Sequence, residues 1–336
     1  PPGHASIFTG RYPISNGVHK AGLGSESEVD HPTCFPLAQD EVTLAEVLAD
    51  RGYRTGAYVA NYGFVSRALG LDQGFQHWFS APPKRSVPIL VSIAVKIFES
   101  RSNVFLASPV FYRRADDILR KALDWMDHHS DRPFFLFVNV MDPHEPYVPP
   151  SPWDQRFPGK IRGFLPDADV LRSGASGYAP AQWDHIQSQY DGEVAFTDEE
   201  MGRFFDALKE RELFSDSLVI VTSDHGQYLG EMGLLDHQVG LHEPVIRVPL
   251  IIKPQRGRSL STSEESVVQT IDIMPTVLDL LGIEIPPGVQ GTSLSTDGRH
   301  PIVAQHFVDG HARDWFSGRF SQHQTALVEE DTKIIQ

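Results

Sequence analysis

The chain has 336 residues, 40% of them hydrophobic, and a formal net charge of −15 at pH 7. This length and apolar content suffice for a large core, arranged as one α/β domain or two smaller ones. The acidic balance, without a dense cluster of lysine and arginine, excludes a typical nucleic-acid-binding surface. The single cysteine, Cys34, excludes an internal disulfide and a cysteine-based zinc site. No run of residues is long and apolar enough for a membrane span.

The first elements in chain order are a helix and an αβ unit. Residues 5–10 have helical character, and Pro2 favours a helix that begins there. Residues 43–46 form a capping-box pattern, which predicts a helix to about Asp50, and residues 53–60 then predict a strand. The chain begins without an initiator methionine, so we expect an internal fragment.

The middle of the chain predicts further alternation of helix and strand. Residues 87–98 form an apolar segment that fits a lid, an interfacial helix or a buried helix. Residues 114–129 predict an amphipathic helix, and residues 133–140 predict an apolar strand that ends in polar residues 141–150. An irregular loop is expected over residues 151–180.

A helix predicted over residues 190–210 leads into the most informative stretch, an apolar strand that stops at Asp224, His225 and Gly226. Ligands of open α/β sheets bind at the carboxyl ends of strands. A carboxylate oxygen and an imidazole nitrogen there suit Mg²⁺, Ca²⁺, Mn²⁺ or Zn²⁺. Glycine permits a tight turn. On this tripeptide alone, an ordinary strand end whose Asp224 caps the next helix is an equal alternative.

The remaining elements continue the same pattern. Residues 247–252 predict a strand, and Asp272 predicts the cap of a helix that ends at Gly282. Residues 302–307 and 326–335 have strand character. Strands that alternate with helices over most of the length predict a mainly parallel sheet, with helices on both faces.

Several segments, in this order, resemble the signatures of the sulfatase family of the alkaline-phosphatase-like superfamily. The segments are residues 2–13 (PGHASIFTGRYP), 43–48, 52–55, 142–146, 190–193, 222–226, 241–243, 247–249 and 272–276. The resemblance covers nearly the whole chain. It implies an alkaline-phosphatase-like α/β fold, with an N-terminally truncated catalytic domain at residues 1–295 and the start of a small α+β subdomain at residues 296–336.

The resemblance also implies a divalent metal ion, held by Asp224, His225, two acidic residues of an earlier strand and the nucleophile. Aligning residues 2–13 with the first signature puts the nucleophile one position before Pro1 and the acidic pair further upstream. We therefore expect this fragment to fold but to be inactive by itself. Ca²⁺ or Mg²⁺ is expected for a sulfatase, and Mn²⁺ or Zn²⁺ for a phosphoesterase.

Three histidines are the catalytic candidates that the resemblance implies. His144 and His237 would act as the proton donor and as the hydrogen-bond donor to the ester oxygens. His4, on the helix that follows the nucleophile, would orient or deprotonate it or contact the ester. His4 stands where formylglycine-dependent sulfatases have arginine, Gly3 where serine is usual, and His237 where many members have lysine. The departures at positions 3 and 4 weaken the formylglycine interpretation and leave an unmodified threonine or serine nucleophile as an alternative.

The leading functional hypothesis is a metal-dependent hydrolase of sulfate esters, with a small-molecule or glycan ester as substrate. A phosphate mono- or diester hydrolase on the same scaffold is the first alternative, and a non-catalytic metal-cleft binding protein is the second. The residue before Pro1 would discriminate, since cysteine or serine supports a sulfatase, threonine an unmodified nucleophile, and alanine or glycine a binding protein. His242, Glu193 and Asp198 are expected to be structural.

Overall fold

A computed structural model describes residues 1–19, 34–81, 112–166, 177–260, 267–296, 301–308, 318–329 and 332–336. The apolar segment at residues 87–98, for which a lid or a helix was predicted, lies outside these ranges. The predicted domain boundary near residue 295 stays a prediction.

A parallel three-stranded sheet forms the centre of the fold. Strand β1 (Arg54–Val59) lies between β2 (His77–Ser80) and β3 (Phe134–Asn139), and both pairings are parallel. Residues 55–59 of β1 are all buried, whereas β3 is partly exposed along its length. This arrangement agrees with the strands predicted at residues 53–60 and 133–140.

The second half of the chain adds antiparallel pairs. Strand β4 (Val219–Thr222) pairs with β7 (Leu250–Lys253), and β5 (Tyr228–Leu229) pairs with β6 (Leu235–Asp236). A separate sheet has the order β10, β9, β8, and its strands are β8 (Ile302–His306), β9 (Gln324–Glu329) and β10 (Thr332–Ile335). The single strand predicted over residues 326–335 is therefore two strands, because the chain reverses between Glu329 and Thr332.

Most of the predicted helices are present. Their bounds are α1 Pro2–Thr9, α2 Pro13–Asn16, α3 Leu44–Asp50, α4 Ala115–His129, α5 Pro180–Glu210, α6 Glu243–Ile246 and α7 Ile273–Leu281. The capping box of α3 is confirmed, since Thr43 Oγ1 accepts from the Glu46 amide and the Glu46 carboxylate accepts from the Thr43 amide.

Two helix predictions need correction. Helix α5 begins ten residues before the predicted start at residue 190, because Pro180 occupies its first turn and His185 and Ile186 are buried. Asp272 stands at the N-cap position of α7, but its carboxylate accepts from the amides of Gln269 and Thr292. It therefore joins two neighbouring segments instead of capping the helix.

The two faces of β1 are covered by different helices. Ala57 and Val59 pack with residues of α1, α3 and α7, whereas Tyr58 packs with Ile118 and Trp125 of α4. This alternation follows from the two-residue period of a strand. The layers are helix, sheet and helix, as predicted. Among the described residues, no helix combines the length and apolar character that a membrane crossing requires.

Candidate active site

The candidate site begins where strand β4 ends. After Thr222, Ser223 turns the chain by donating its hydroxyl to the His225 carbonyl at 2.6 Å. Asp224 and His225 follow, and the carboxylate Oδ2 of Asp224 lies 3.6 Å from Nε2 of His225. Asp224 thus faces its neighbouring imidazole, and the alternative in which it caps the next helix is not what the structure shows.

Gly226 is required here by close packing. A β-carbon at this position would lie 2.0 Å from the carbonyl oxygen of Pro244, which is too close for any side chain. The Gly226 amide donates to Val245 O at 2.6 Å, and the Gln227 amide donates to Pro244 O at 2.8 Å. The glycine therefore fixes the Asp224–His225 turn against helix α6, which differs from the conformational reason that the sequence suggested.

Helix α1 contacts the same carboxylate from the other side. Nδ1 of His4 lies 3.2 Å from Oδ2 of Asp224, and the His4 side chain is buried. The imidazole makes edge contacts with the rings of Phe8 and Phe137, whose centroids are 6.5 and 5.9 Å away. These rings fix the orientation of His4, so Nδ1 is held towards Asp224.

The loop after β3 and the turn after β6 bring two more histidines to the cluster. The rings of His225 and His237 stack with centroids 3.9 Å apart, and the centroid of His144 lies 4.9 Å from that of His237. Nδ1 of His144 bonds to the Glu145 carbonyl at 2.8 Å, and Nδ1 of His225 bonds to the Gly226 carbonyl at 2.9 Å. Both bonds leave Nε2 available to a ligand. The structure thus connects all five residues predicted for the site, which are His4, His144, Asp224, His225 and His237.

Two acidic residues belong to this cluster although the sequence assigned them no role. Glu145 Oε2 lies 3.3 Å from His144 Nδ1, and Asp236 Oδ1 lies 2.7 Å from His237 Nδ1. Gln227 donates to Glu145 Oε2 at 2.6 Å and thereby orients it. The sequence did contain one signal for these two acids, because each of them is directly next to a candidate histidine in the chain.

The pKa shifts in the cluster differ in direction from residue to residue. Burial alone would raise the pKa of Asp224, but His225 and His4 hold it well below its usual range. Burial raises the pKa of Glu145 to about 7, and the Asp236 carboxylate adds to the rise. Burial lowers the pKa of His237 to about 4, with a further contribution from His225. For His144 burial acts downwards, but the Glu145 carboxylate raises the pKa above the ordinary value.

Asp224 and His225 have the donor types and spacing that a metal ion needs. With bonds of about 2.1 Å, two ligands of one ion lie about 3.0–3.5 Å apart. The observed separation of 3.6 Å between Asp224 Oδ2 and His225 Nε2 is close to this value. The ionised state of Asp224 also suits a cation ligand. The residues therefore fit the divalent ion that the resemblance implies.

Two of the three residues expected to be structural, His242 and Glu193, make hydrogen bonds outside the cluster, and Asp142 does so as well. Nδ1 of His242 bonds to the Tyr228 hydroxyl at 2.6 Å. Glu193 is buried within α5 and accepts from the Val148 amide at 2.9 Å. Asp142 accepts from the Ala115 amide at 2.7 Å at the start of α4. Asp198 is exposed.

Comparisons with known proteins identify the family of the chain. The family model described as Sulfatase matches residues 2–283. The multifunctional alkaline phosphatase superfamily protein PehA of Trinickia caryophylli is 30% identical over 222 residues, which is 58% of this chain and 41% of PehA. An ulvan-active sulfatase of Formosa agariphila is 25% identical over 315 residues, which is 89% of this chain and 56% of that protein.

A similar fold is found in a phosphonate monoester hydrolase from Silicibacter pomeroyi. Its structure aligns with 100% of this chain and 77% of its own, with a TM-score of 0.67 and 21% sequence identity. At this identity the likeness shows the fold, which is alkaline-phosphatase-like. The chain spans about half the length of the curated relatives it matches. The family model covers well over half of the chain, and the chain belongs to the sulfatase family.

Proposed function

We propose that this protein hydrolyses sulfate esters with the help of a divalent metal ion. The observation that carries the proposal is the single cluster in which Asp224 and His225, at the end of β4, meet His4, His144 and His237. The family supports this reaction, and the ulvan-active relative supports a sulfated glycan or another small sulfate ester as substrate.

Each residue has a role that its position supports. Asp224 and His225 would hold the ion, which withdraws charge from the ester oxygens when it is bound. His144, with Nδ1 fixed by a backbone carbonyl, would present Nε2 to the leaving oxygen and give it a proton. His237 would donate a hydrogen bond to the ester oxygens. His4 would act as a positioning residue through its contact with Asp224.

The donor atoms and the family resemblance favour different metal ions. A nitrogen ligand from His225 favours Mn²⁺ or Zn²⁺ over Ca²⁺, which prefers an all-oxygen shell. Ca²⁺ and Mg²⁺ remain the expectation that the family resemblance gives. Metal analysis of the purified protein, together with reactivation of the chelated protein by each ion, distinguishes Mn²⁺ or Zn²⁺ from Ca²⁺ or Mg²⁺.

Hydrolysis of phosphate or phosphonate esters is the second candidate function. It is favoured by His237, an imidazole at the position where many sulfatases have lysine, and by the similarity to PehA, which is described as multifunctional. Parallel assays on 4-nitrophenyl sulfate, 4-nitrophenyl phosphate and a phosphate diester rank these activities. Metal binding without turnover of any ester would instead support the non-catalytic binding protein.

The role of His144 as the acid gives a sharp prediction. His144→Ala should lower kcat for an alkyl sulfate about 10²-fold or more, because a poor leaving group depends on protonation. The loss for 4-nitrophenyl sulfate should be much smaller, since nitrophenolate leaves without a proton. His128→Ala, at an exposed position of α4, is the matched control. Equal losses for both leaving groups would contradict an acid role.

A further inference from the structure

Helix α5 holds the segment that continues the loop of His144. This segment, the strap, comprises residues 148–164. His185, Gln189 and Glu193 follow one another at intervals of four residues and therefore lie on one face of α5. They are buried, with 3%, 4% and 1% of their surfaces exposed. Buried polar side chains need hydrogen-bond partners, and the strap supplies them.

Each of the three side chains makes a hydrogen bond with the backbone of the strap. The pairs are Glu193 Oε1 with the Val148 amide at 2.9 Å, Gln189 Nε2 with the Asp154 carbonyl at 3.2 Å and His185 Nδ1 with the Ile161 amide at 2.8 Å. The strap partners advance along the chain as the helix residues recede, so the strap runs antiparallel to α5. It is held at its start, at its middle and near its end.

The hydrogen bond of His185 requires a neutral imidazole. The Ile161 amide donates, so Nδ1 must offer its lone pair, and the proton of the neutral ring is on Nε2. A second proton would set one N–H group against another and would charge a buried ring. The other two side chains do not respond to mild acid. Gln189 has no titratable group, and burial raises the pKa of Glu193 to about 9, so its carboxyl group is already protonated.

The surroundings of His185 favour its neutral form. Burial lowers the pKa of His185 below its ordinary value of 6.5, and Lys160 of the strap adds to this effect, whereas a hydrogen bond with the Phe164 backbone acts in the opposite direction. Lys160 is itself paired with the Asp154 carboxylate. A histidine whose pKa is lowered by folding stabilises the fold above the unfolded pKa, and this contribution is lost as pH falls through the lowered pKa. Acid therefore breaks the bond between His185 and the strap.

The end of the strap also contacts the supports of the candidate site. The ring of Phe164 packs against the apolar cluster that contains Tyr147 and Leu235. Tyr147 lies three residues after His144, and Leu235 lies two residues before His237. Movement of Phe164 therefore removes a packing partner from the segments that carry two of the candidate catalytic histidines.

We propose that His185 is a pH-sensitive latch for the strap. When the imidazole takes up a proton, residues 157–164 leave α5, and Phe164 leaves the apolar cluster with them. The bonds of Gln189 and Glu193 keep the part of the strap next to His144 in place. The fold thus contains a segment with two arrangements beside the candidate site, and the charge of one buried histidine selects between them.

The experiment is hydrogen exchange of the whole chain, followed by mass spectrometry at about pH 7 and about pH 4.5, on either side of the ordinary histidine pKa. Each rate is divided by the intrinsic rate at the same pH. In the wild type, protection of the Ile161 amide, measured in peptides that cover residues 157–164, should fall about 10-fold or more in acid. Residues 54–59 of β1 should keep their protection.

Two substitutions assign the effect to His185. His185→Asn places an amide oxygen, which does not titrate, near the position of Nδ1, so protection of residues 157–164 should be the same at both pH values. His185→Ala should expose these residues at both pH values. His128→Asn, at an exposed position of α4, is the matched control and should behave as the wild type does.

Three results would overturn the proposal. The first is equal protection of residues 157–164 at both pH values in the wild type. The second is a fall in acid of the same size in His185→Asn, which would assign the opening to another group. The third is a simultaneous loss of protection in residues 54–59, which would show general unfolding. If His185→Ala fails to fold, His185→Asn still decides. Turnover is not the readout, so failure of the proposed hydrolysis leaves this test intact.

Discussion

Gly3 lies against the backbone of Asp224, where a β-carbon would be 2.8 Å from the Asp224 carbonyl oxygen and 3.1 Å from its Cβ. Helix α1 therefore approaches the Asp224–His225 turn more closely than a larger residue permits. Gly3→Ala should separate them and lower the free energy of unfolding by about 1–3 kcal/mol, the usual cost of overpacking. Urea unfolding monitored by circular dichroism measures this change.

Gly202 provides the control for this substitution. It lies on the exposed side of α5, with open space around its Cα, so Gly202→Ala should increase stability by about 0.5–1 kcal/mol through helix propensity. An increase of similar size for Gly3→Ala would show that α1 and the Asp224 turn have room to separate.

At the residue scale, the sequence predicted the individual residues of the cluster better than it predicted the contacts between distant segments. The positions of Asp224 and His225 follow from an apolar strand that ends abruptly, a local pattern that is readable without a structure. The proximity of Glu145 to His237 depends on how two distant loops fold together, which no local pattern contains. The close approach of Gly226 to Pro244 is likewise a contact between segments that are separate in the sequence.

At the scale of elements, helix α5 supports the site through a buried acid. Glu193 accepts from the Val148 amide in the loop that follows His144 and Glu145. Burial raises its pKa to about 9, and the Asp142 carboxylate adds to the rise. The folded protein therefore holds the proton of Glu193 more tightly than the unfolded chain does.

The sign of the pH dependence follows from this shift. The stabilisation that protonated Glu193 gives the folded protein is complete below the unfolded pKa of about 4.3. It is lost as pH rises towards 9, because ionisation of Glu193 favours unfolding. Glu193→Gln should remove this part of the slope of unfolding free energy between pH 5 and pH 9. Urea unfolding at several pH values measures it, with the exposed Asp198→Asn as control. If the free energy of unfolding changed equally with pH in the wild type and in Glu193→Gln, the prediction would be wrong.

The predictability of the elements reflects the range of the forces that define them. The start of α3 was predicted because the capping box is made within four residues. The first ten residues of α5 were not predicted, because there the buried residues are set by tertiary contacts, such as that of His185 with the Ile161 amide. The division between β9 and β10 was missed for a similar reason, since both strands have the same apolar character.

At the scale of the whole molecule, the strands of the central sheet differ in their partners. Strand β1 has neighbours on both edges, whereas in the described part of the chain β3 pairs with β1 alone. Amides at an unpaired edge exchange with solvent more readily. Hydrogen exchange followed by mass spectrometry should show residues 134–139 exchanging at least 10-fold faster than residues 54–59. Equal protection would mean that the edge of β3 is covered.

The outer sheet also reaches the candidate site. Nε2 of His306, the last residue of β8, donates to the carbonyl of Gln238 at 3.0 Å, one residue after His237. A ribosome makes the chain from its N-terminus at about 5–20 residues per second, and early segments fold first. The turn that carries His237 therefore lacks this hydrogen bond for several seconds, because His306 is made 68 residues after Gln238. A newly made protein should acquire its sheet core before the candidate site is complete.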